Sequence, residues 1–195
     1  MKYNLSEITE VIRNRRTIYP EDYSDRKVQR EMVEKMLGNA IWAPTHGMTQ
    51  PWRFKVFMND ALPRLADTMQ ALYKKTSSPE KFKQAKYERL HQRYTKASVV
   101  IAVCMARQEE EKIPEIEEIE AVACAVQNMH LTCTAYGLGA YWSTGGATYS
   151  NEMKEFLSLR KNDKCLGFFL VGYPSGDWPL SHRKPLEYVT EWILT

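Results

Sequence analysis

From Ala121 to Ala135 the chain is apolar nearly all the way round a helix. A helix without a polar face has to be covered on every side, so it lies at the centre of its domain or between two subunits. Pro114, which lacks an N–H and suits a first helical turn, opens the segment, and it runs from Glu115 to Tyr136. Glutamates in the first turns complement the helix dipole. Gly137 stands where a left-handed residue ends a helix. Gln127, Asn128, His130 and Thr132 interrupt the apolar run, which argues against a membrane span.

Two apolar runs can pack on such a helix. Val99 to Met105 and Cys165 to Val171 read as strands covered on both faces. Arg53 to Met58 alternates, with Phe54, Val56 and Met58 on one side, and Ala140 to Trp142 forms a shorter strand. Helical spacing is carried by Ile8, Val11 and Ile12, with Ser6 as cap and an end near Asn14. It returns in Val28, Met32, Val33, Met36, Leu37 and Ala40, with Asp25 as cap and a stop before Pro44. Leu62, Leu65, Ala66, Met69 and Leu72 form a third face, Ser78-Pro79 opens a more polar helix through about Tyr94, and Glu152 to Leu159 forms a last one. Glu187 to Leu194 reads as a final strand or arm. No repeat or long linker divides the chain, so residues 1–195 are expected to form a single α/β domain.

Charge is uneven. Residues 61–100 carry 9 Lys/Arg against 3 Asp/Glu, and residues 101–125 carry 2 against 7. The basic run, including Lys74, Lys75, Lys81, Lys83, Lys86, Arg89, Arg93 and Lys96, could serve a nucleic acid through counterion release, but no nucleic-acid motif accompanies it. A solvated helix face near an acidic neighbour is the simpler reading. Cys104, Cys124, Cys133 and Cys165 lack the C-x-x-C spacing of a zinc or dithiol site, and 104, 124 and 165 sit in apolar runs as small hydrophobes. Met1 to Glu10 has no signal-peptide core. With structural thiols, this points to the cytoplasm.

The chain has no G-x-x-x-x-G-K-[ST], G-x-S-x-G or H-E-x-x-H, and Gly137-x-Gly139 continues into Ala140-Tyr141-Trp142 without the third glycine of a dinucleotide turn. Three polar clusters remain. Arg13-Asn14-Arg15-Arg16-Thr17 offers guanidinium forks and a hydroxyl to a phosphate, although cations ending a helix can also simply satisfy its dipole. The loop Ala43-Pro44-Thr45-His46-Gly47-Met48-Thr49-Gln50-Pro51-Trp52 holds an imidazole, an amide and an indole between prolines. Trp142-Ser143-Thr144-Gly145-Gly146 follows a short strand, and its glycines allow backbone N–H groups close to a ligand. His182-Arg183-Lys184-Pro185 adds a second pair of cations. Phosphate, flat ring and close backbone suggest a nucleotide-like ring system.

In their order and spacing these motifs resemble the nitroreductase family of flavin-dependent NAD(P)H oxidoreductases. The likeness rests on R-R-[ST] after a first helix, A-P-[ST]-x-x-x-x-Q-P-W about 27 residues later, a glycine-ended long helix with G-L-G, and a late G-x-P followed by basic residues. It spans Glu7 to about Glu187. The resemblance implies a three-layer fold, a central mixed or antiparallel sheet flanked by helices, in an intertwined homodimer with FMN at the interface.

It further implies that Arg15, Arg16 and Thr17 hold the FMN phosphate and ribityl chain, with Arg183 or Lys184 adding charge. The loop holding His46, Met48 and Gln50 would approach from the other subunit. Trp142, Ser143, Thr144 and Gly145 would line the ring, with a backbone N–H near flavin N5, while Trp52 braces the loop. Two positions depart from the family. Met48 replaces a frequent Asn, so that one flavin hydrogen bond is either missing or replaced by His46, and Tyr19 stands where many members carry Lys or Arg near flavin N1.

The implied activity is hydride transfer from NADH or NADPH through FMN to a small acceptor such as a nitro-aromatic or quinone. No catalytic side chain and no metal are expected, because the flavin does the chemistry. Dehalogenation, dehydrogenation or flavin fragmentation on the same fold is the alternative, and a non-catalytic basic module working through residues 61–100 is a third reading. Substrate choice is expected to lie in the 73–96 segment. Neither a nucleic acid nor a membrane is expected as partner.

Overall fold

A computed structural model describes residues 3–195. Its helices are α1 (Leu5–Asn14), α2 (Arg30–Ala40), α3 (Ala61–Thr76), α4 (Gln84–Lys96), α5 (Glu115–Ala135) and α6 (Asn151–Phe156). Its strands are β1 (Trp52–Met58), β2 (Val99–Met105), β3 (Gly139–Ser143) and β4 (Lys164–Gly172). They form one sheet in the order β1-β2-β4-β3, every pair antiparallel. The sheet is mixed only at its rim, where Thr17 makes an isolated parallel bridge to Ala140.

The strand period of two builds the layers. Val99, Ile101, Val103 and Met105 of β2, with Phe169 and Val171 of β4, face one cluster shared with α2 and α5. Val100, Ala102 and Cys104, with Phe168 and Leu170, face a second cluster shared with α3, α4 and α6. Every residue of β2 is buried, as its unbroken apolar run requires. Helix α5 ends in a Schellman motif: Leu138 N–H donates to Cys133 O (2.8 Å), Gly137 N–H to Thr134 O (3.0 Å), and Gly137 has φ +68°. That turn reverses the chain straight into β3 and so sets the height of the Trp142–Gly145 loop.

Gly167 does the same from the other side. Between Val103 and Cys104 the β2–β4 register slips by one residue, and Gly167 takes φ +132° there. A Cβ at Gly167 would fall 2.5 Å from the Trp142 indole nitrogen, which donates to Leu166 O (3.1 Å). The bulge therefore gives the indole its seat.

Several local expectations are corrected. Helix α1 is capped by Asn4, whose carboxamide oxygen accepts from Ser6 N (3.0 Å) and Glu7 N, instead of by Ser6. Neither Asp25 nor Val28 belongs to α2: Val28 N–H donates to Ser98 Oγ (2.7 Å), anchoring the segment before the helix to the start of β2. Ser78-Pro79 makes a turn, and the polar helix begins only at Gln84. Glu187 to Leu194 is no strand, because no sheet edge lies beside it; it is an exposed arm entered through a 3-10 turn at Leu186–Tyr188.

Helix α5 buries Val122, Ala125, Val126, Met129 and Cys133, yet Glu120, Cys124, Gln127 and Ala135 form an exposed stripe with Leu131 half covered. Cys124 is thus exposed, although it sits in the apolar run, because nothing in the chain covers that side. Helix α1 buries no residue and leaves Leu5, Ile8 and Ile12 exposed. Among the described residues no helix is long and apolar enough to cross a membrane.

Candidate functional site

Where α1 stops, Arg15 turns the chain into an extended course and Ile18 N–H donates to Ala140 O (3.1 Å), so the Arg15-Arg16-Thr17 segment runs along the free edge of β3. Arg16 is committed to backbone: Nε donates to Pro179 O (2.7 Å), and Nη1 to Arg13 O (2.6 Å) and Arg15 O (2.9 Å). Trp178 Nε1 donates to Asn14 O (2.6 Å). Together these bonds lash the C-terminal segment to the end of α1 and bring Arg183 near Arg15.

Burial, followed by the Arg183 and Arg16 cations, holds the Arg15 pKa below its ordinary value. Among the described residues no carboxylate pairs with Arg15, Arg16 or Arg183. Lys184 lies next to them with its Nζ over the Tyr188 ring. Three guanidinia without a counter-ion form a site that a polyanion would stabilise.

His130 of α5 completes this end. Its ring packs edge-on against Phe169 (4.7 Å between centroids), it is 7% exposed, and its buried Nδ1 has no hydrogen-bond partner among the described residues. Burial and then Arg15 push its pKa down to about 4. A histidine kept neutral in the fold titrates near 6.5 when unfolded. The unfolded chain therefore binds more protons between about pH 6.5 and 4, and stability falls as pH falls through that window. At 1.36 kcal/mol per unit, the native chain free of ligand is expected to lose about 2 kcal/mol from this group between pH 7 and pH 5. Urea unfolding of His130→Leu at both pH values checks it: the pH 5 deficit should shrink by that amount, and an unchanged deficit would exclude His130 as its source.

The second part of the site is the end of β3 facing α4. Tyr19 packs on Tyr141 (4.9 Å), and the Arg93 guanidinium lies 5.6 Å from the Tyr19 ring and 5.5 Å from the Tyr141 ring. Arg93 Nε also donates to Glu21 Oε1 (2.6 Å). The Arg93 guanidinium of α4 thus stands beside Tyr19, with its charge paired to Glu21. Arg93 lies within the basic run of α4, and nothing in its sequence spacing signals that it would face two tyrosines. Trp142, Ser143, Thr144 and Gly145 line a cavity of about 310 Å³ against this helix.

The proline-bracketed loop lies elsewhere. Gly47 (φ +56°), Met48 (+54°) and Gln50 (+46°) all adopt left-handed backbone, costly for the two with side chains and typical of segments held for function. Thr45 Oγ1 accepts from Gln50 N–H (3.2 Å), His46 Nδ1 meets Glu117 Oε2 (2.5 Å), and Met48 is exposed. Trp52 is buried at the loop's exit. Glu117 and His130 mark opposite ends of α5, separated by about 20 Å of helix at 1.5 Å per residue. One chain therefore joins Arg15, Arg16, Thr17, Tyr19, Trp142–Gly145 and Arg183 along one end, and leaves His46, Met48 and Gln50 at the other.

The nitroreductase family model matches residues 12–173, which include both parts of the site apart from Arg183 and Lys184. The chain belongs to the nitroreductase family. The Escherichia coli (strain K12) protein YdjA, whose name carries the provisional description NAD(P)H nitroreductase, is 27% identical over 144 residues, covering 74% of this chain and 76% of its own. A nitroreductase-like family protein from Bacillus cereus superposes with a TM-score of 0.84 at 25% identity, over 100% of this chain and 99% of that one. A provisionally described nitroreductase from Desulfovibrio desulfuricans, solved in complex with FMN, gives a TM-score of 0.75 at 28% identity, over 98% and 99%.

Proposed function

We propose that the chain is an FMN-dependent NAD(P)H oxidoreductase whose two active sites are each completed by a second copy of the chain. The observation that carries this reading is the Arg15, Arg16 and Arg183 cluster, without a counter-ion, at the edge of the strand that leads into Trp142–Gly145. A phosphate dianion answers the cations, and the orphaned His130 Nδ1 offers one more polar atom at the same end. The donor set thus fits FMN.

Arg15, with Arg183 and Lys184 beside it, binds the phosphate, while Arg16 spends its fork on holding the segment in place. Thr17 orients the ribityl chain. Ser143, Thr144 and Gly145 bring backbone N–H groups to the ring, and Trp142, pinned to Leu166 O, fixes the height of that loop. Arg93 lies over the Tyr19 ring with its charge paired to Glu21, so it adds no net charge at the Tyr19 position. When bound, FMN would supply the redox chemistry, hydride acceptance from NADH or NADPH and electron delivery to a small acceptor such as a nitro-aromatic or quinone. The four thiols are unpaired, in keeping with a cytoplasmic setting.

The dimer is supported by what the single chain leaves bare. The Glu120–Ala135 stripe of α5, the apolar face of α1, and Leu186, Tyr188, Val189, Trp192, Ile193 and Leu194 of the arm exceed what an isolated domain keeps in water. Pairing across a two-fold axis would bring the His46–Gln50 loop of one chain to the Arg15 end of the other.

Purified protein is expected to be yellow, with close to one FMN per chain, to sediment as a dimer, and to oxidise NADH or NADPH when a quinone or nitro-aromatic is added. A colourless protein that FMN cannot reconstitute would overturn the reading. FMN binding without nicotinamide oxidation would favour dehalogenation or flavin fragmentation instead.

A further inference from the structure

The basic run at residues 61–100 is only partly consumed by the fold. Lys75 pairs with Glu152 (3.4 Å), Arg93 with Glu21 (2.6 Å) and Lys96 with Asp25 (2.8 Å). Lys86 and Arg89 have no carboxylate among the described residues: the Lys86 ammonium lies over the Tyr73 ring (4.8 Å), and Arg89 makes neither an ion pair nor a hydrogen bond. Residues 86, 89 and 93 share one face of α4 by their i, i+3, i+7 spacing. That face is the wall of the 310 Å³ cavity whose opposite side is Tyr141, Ser143 and Thr144, and no carboxylate lines it. With Glu21 neutralising Arg93, the cavity keeps two uncompensated positive charges in a concave space of small-molecule size. A space so small takes one ring and one anionic group, not the backbone of a nucleic acid.

We propose that this cavity selects the molecule that meets the Trp142–Gly145 loop by its negative charge: a carboxylate, sulfonate or phosphate on that molecule is bound by the Arg89 fork and the Lys86 ammonium. The inference rests on the FMN reading above, which places the flavin ring on this loop and so brings its substrates to the adjoining cavity. The anionic group has two possible sources. It belongs to the electron acceptor, or it is the 2′-phosphate that distinguishes NADPH from NADH. Arg89 favours a planar carboxylate or a phosphate through two parallel hydrogen bonds, whereas Lys86 acts as a point charge, so loss of the arginine should weigh more. Both lie on α4 outside the two clusters of the core; Arg89 is exposed, while Lys86 is half-buried over the Tyr73 ring, so Arg89→Ala is the cleaner variant.

The test uses the dimeric, FMN-loaded enzyme, titrated by calorimetry and flavin absorbance with 4-nitrobenzoate and with 4-nitrobenzamide. The two share a ring and differ in charge, and equilibrium binding to the oxidised enzyme is independent of how easily each is reduced. The benzoate is expected to bind about 10-fold more tightly at low ionic strength, the order of one charge-assisted hydrogen bond. Salt should erode that advantage, Arg89→Ala should remove most of it, and Arg89→Ala with Lys86→Ala all of it.

A second arm compares KM for NADPH and NADH in the same variants. A rise for NADPH alone assigns the charge to the cofactor phosphate, whereas a rise for nitrobenzoate with an unchanged NADPH-to-NADH ratio assigns it to the acceptor. Equal affinity for benzoate and benzamide together with equal KM for the two nicotinamides overturns the inference. If that result comes from a yellow enzyme, the FMN reading stands; a colourless protein overturns both.

Discussion

Arg15→Ala is expected to raise the dissociation constant for FMN by about 30-fold to 200-fold, measured by fluorescence quenching as FMN is titrated into the stripped protein. A hydrogen bond to a charged group is worth about 1.5–3 kcal/mol, and an arginine fork on a phosphate makes more than one. Part of that gain is offset, because Arg15 already repels Arg183 and Arg16 in the empty protein. The same repulsion separates a binding defect from a folding defect. Without FMN the variant should unfold at the same urea concentration as the parent or a higher one, since a like charge has been taken out of the cluster. Arg15→Lys keeps the charge and loses the fork, so it should fall between the two. Unchanged affinity in the alanine variant would refute the phosphate assignment.

A loss of about 3–5 kcal/mol in folding stability is expected for Glu118→Ala, read from urea unfolding at neutral pH. Glu118 is 1% exposed. Its Oε2 accepts from Arg107 Nη1 (2.5 Å) and its Oε1 from Gln108 N–H (3.1 Å). Arg107 is itself buried, and its backbone is held by Asp163 Oδ1 (2.9 Å) and by Arg160 Nη2 (2.9 Å). Removing the carboxylate strands a guanidinium where the end of β2 meets the first turns of α5. The double variant Glu118→Ala with Arg107→Leu should recover much of the loss, because the pair owes little to its mutual attraction once both desolvation costs are counted. A single-variant loss below about 1 kcal/mol would show that water reaches Arg107.

The parts of the fold legible in the sequence are those whose cause is local. Val99–Met105 reads as a doubly covered strand and is one, because its period and branching depend on nothing outside it. The end of α5 at Gly137 is equally local, a left-handed residue with two carbonyls to satisfy. The helix cap moved from Ser6 to Asn4 because either side chain can do that work and only tertiary placement decides between them. The arm at 187–194 looks like a strand by composition, but a strand needs a neighbouring edge, and β3 has its free edge occupied at Thr17.

The site divides in the same way. Arg15, Arg16, Thr17 and Trp142–Gly145 stand in contiguous motifs, so their residues were nameable in advance. Arg93 and His130 were not, since each matters for what a distant element brings beside it: two tyrosines in one case, Arg15 and Phe169 in the other.

The two ends of α5 carry different halves of the proposed site, and this has a genetic consequence. Suppose a cell makes one chain defective at Arg15 and another defective in the His46–Gln50 loop. Every mixed pair then holds one site built entirely from sound parts and one in which both faults meet. Two alleles that are each inactive alone would complement, and the activity regained would measure how freely subunits mix.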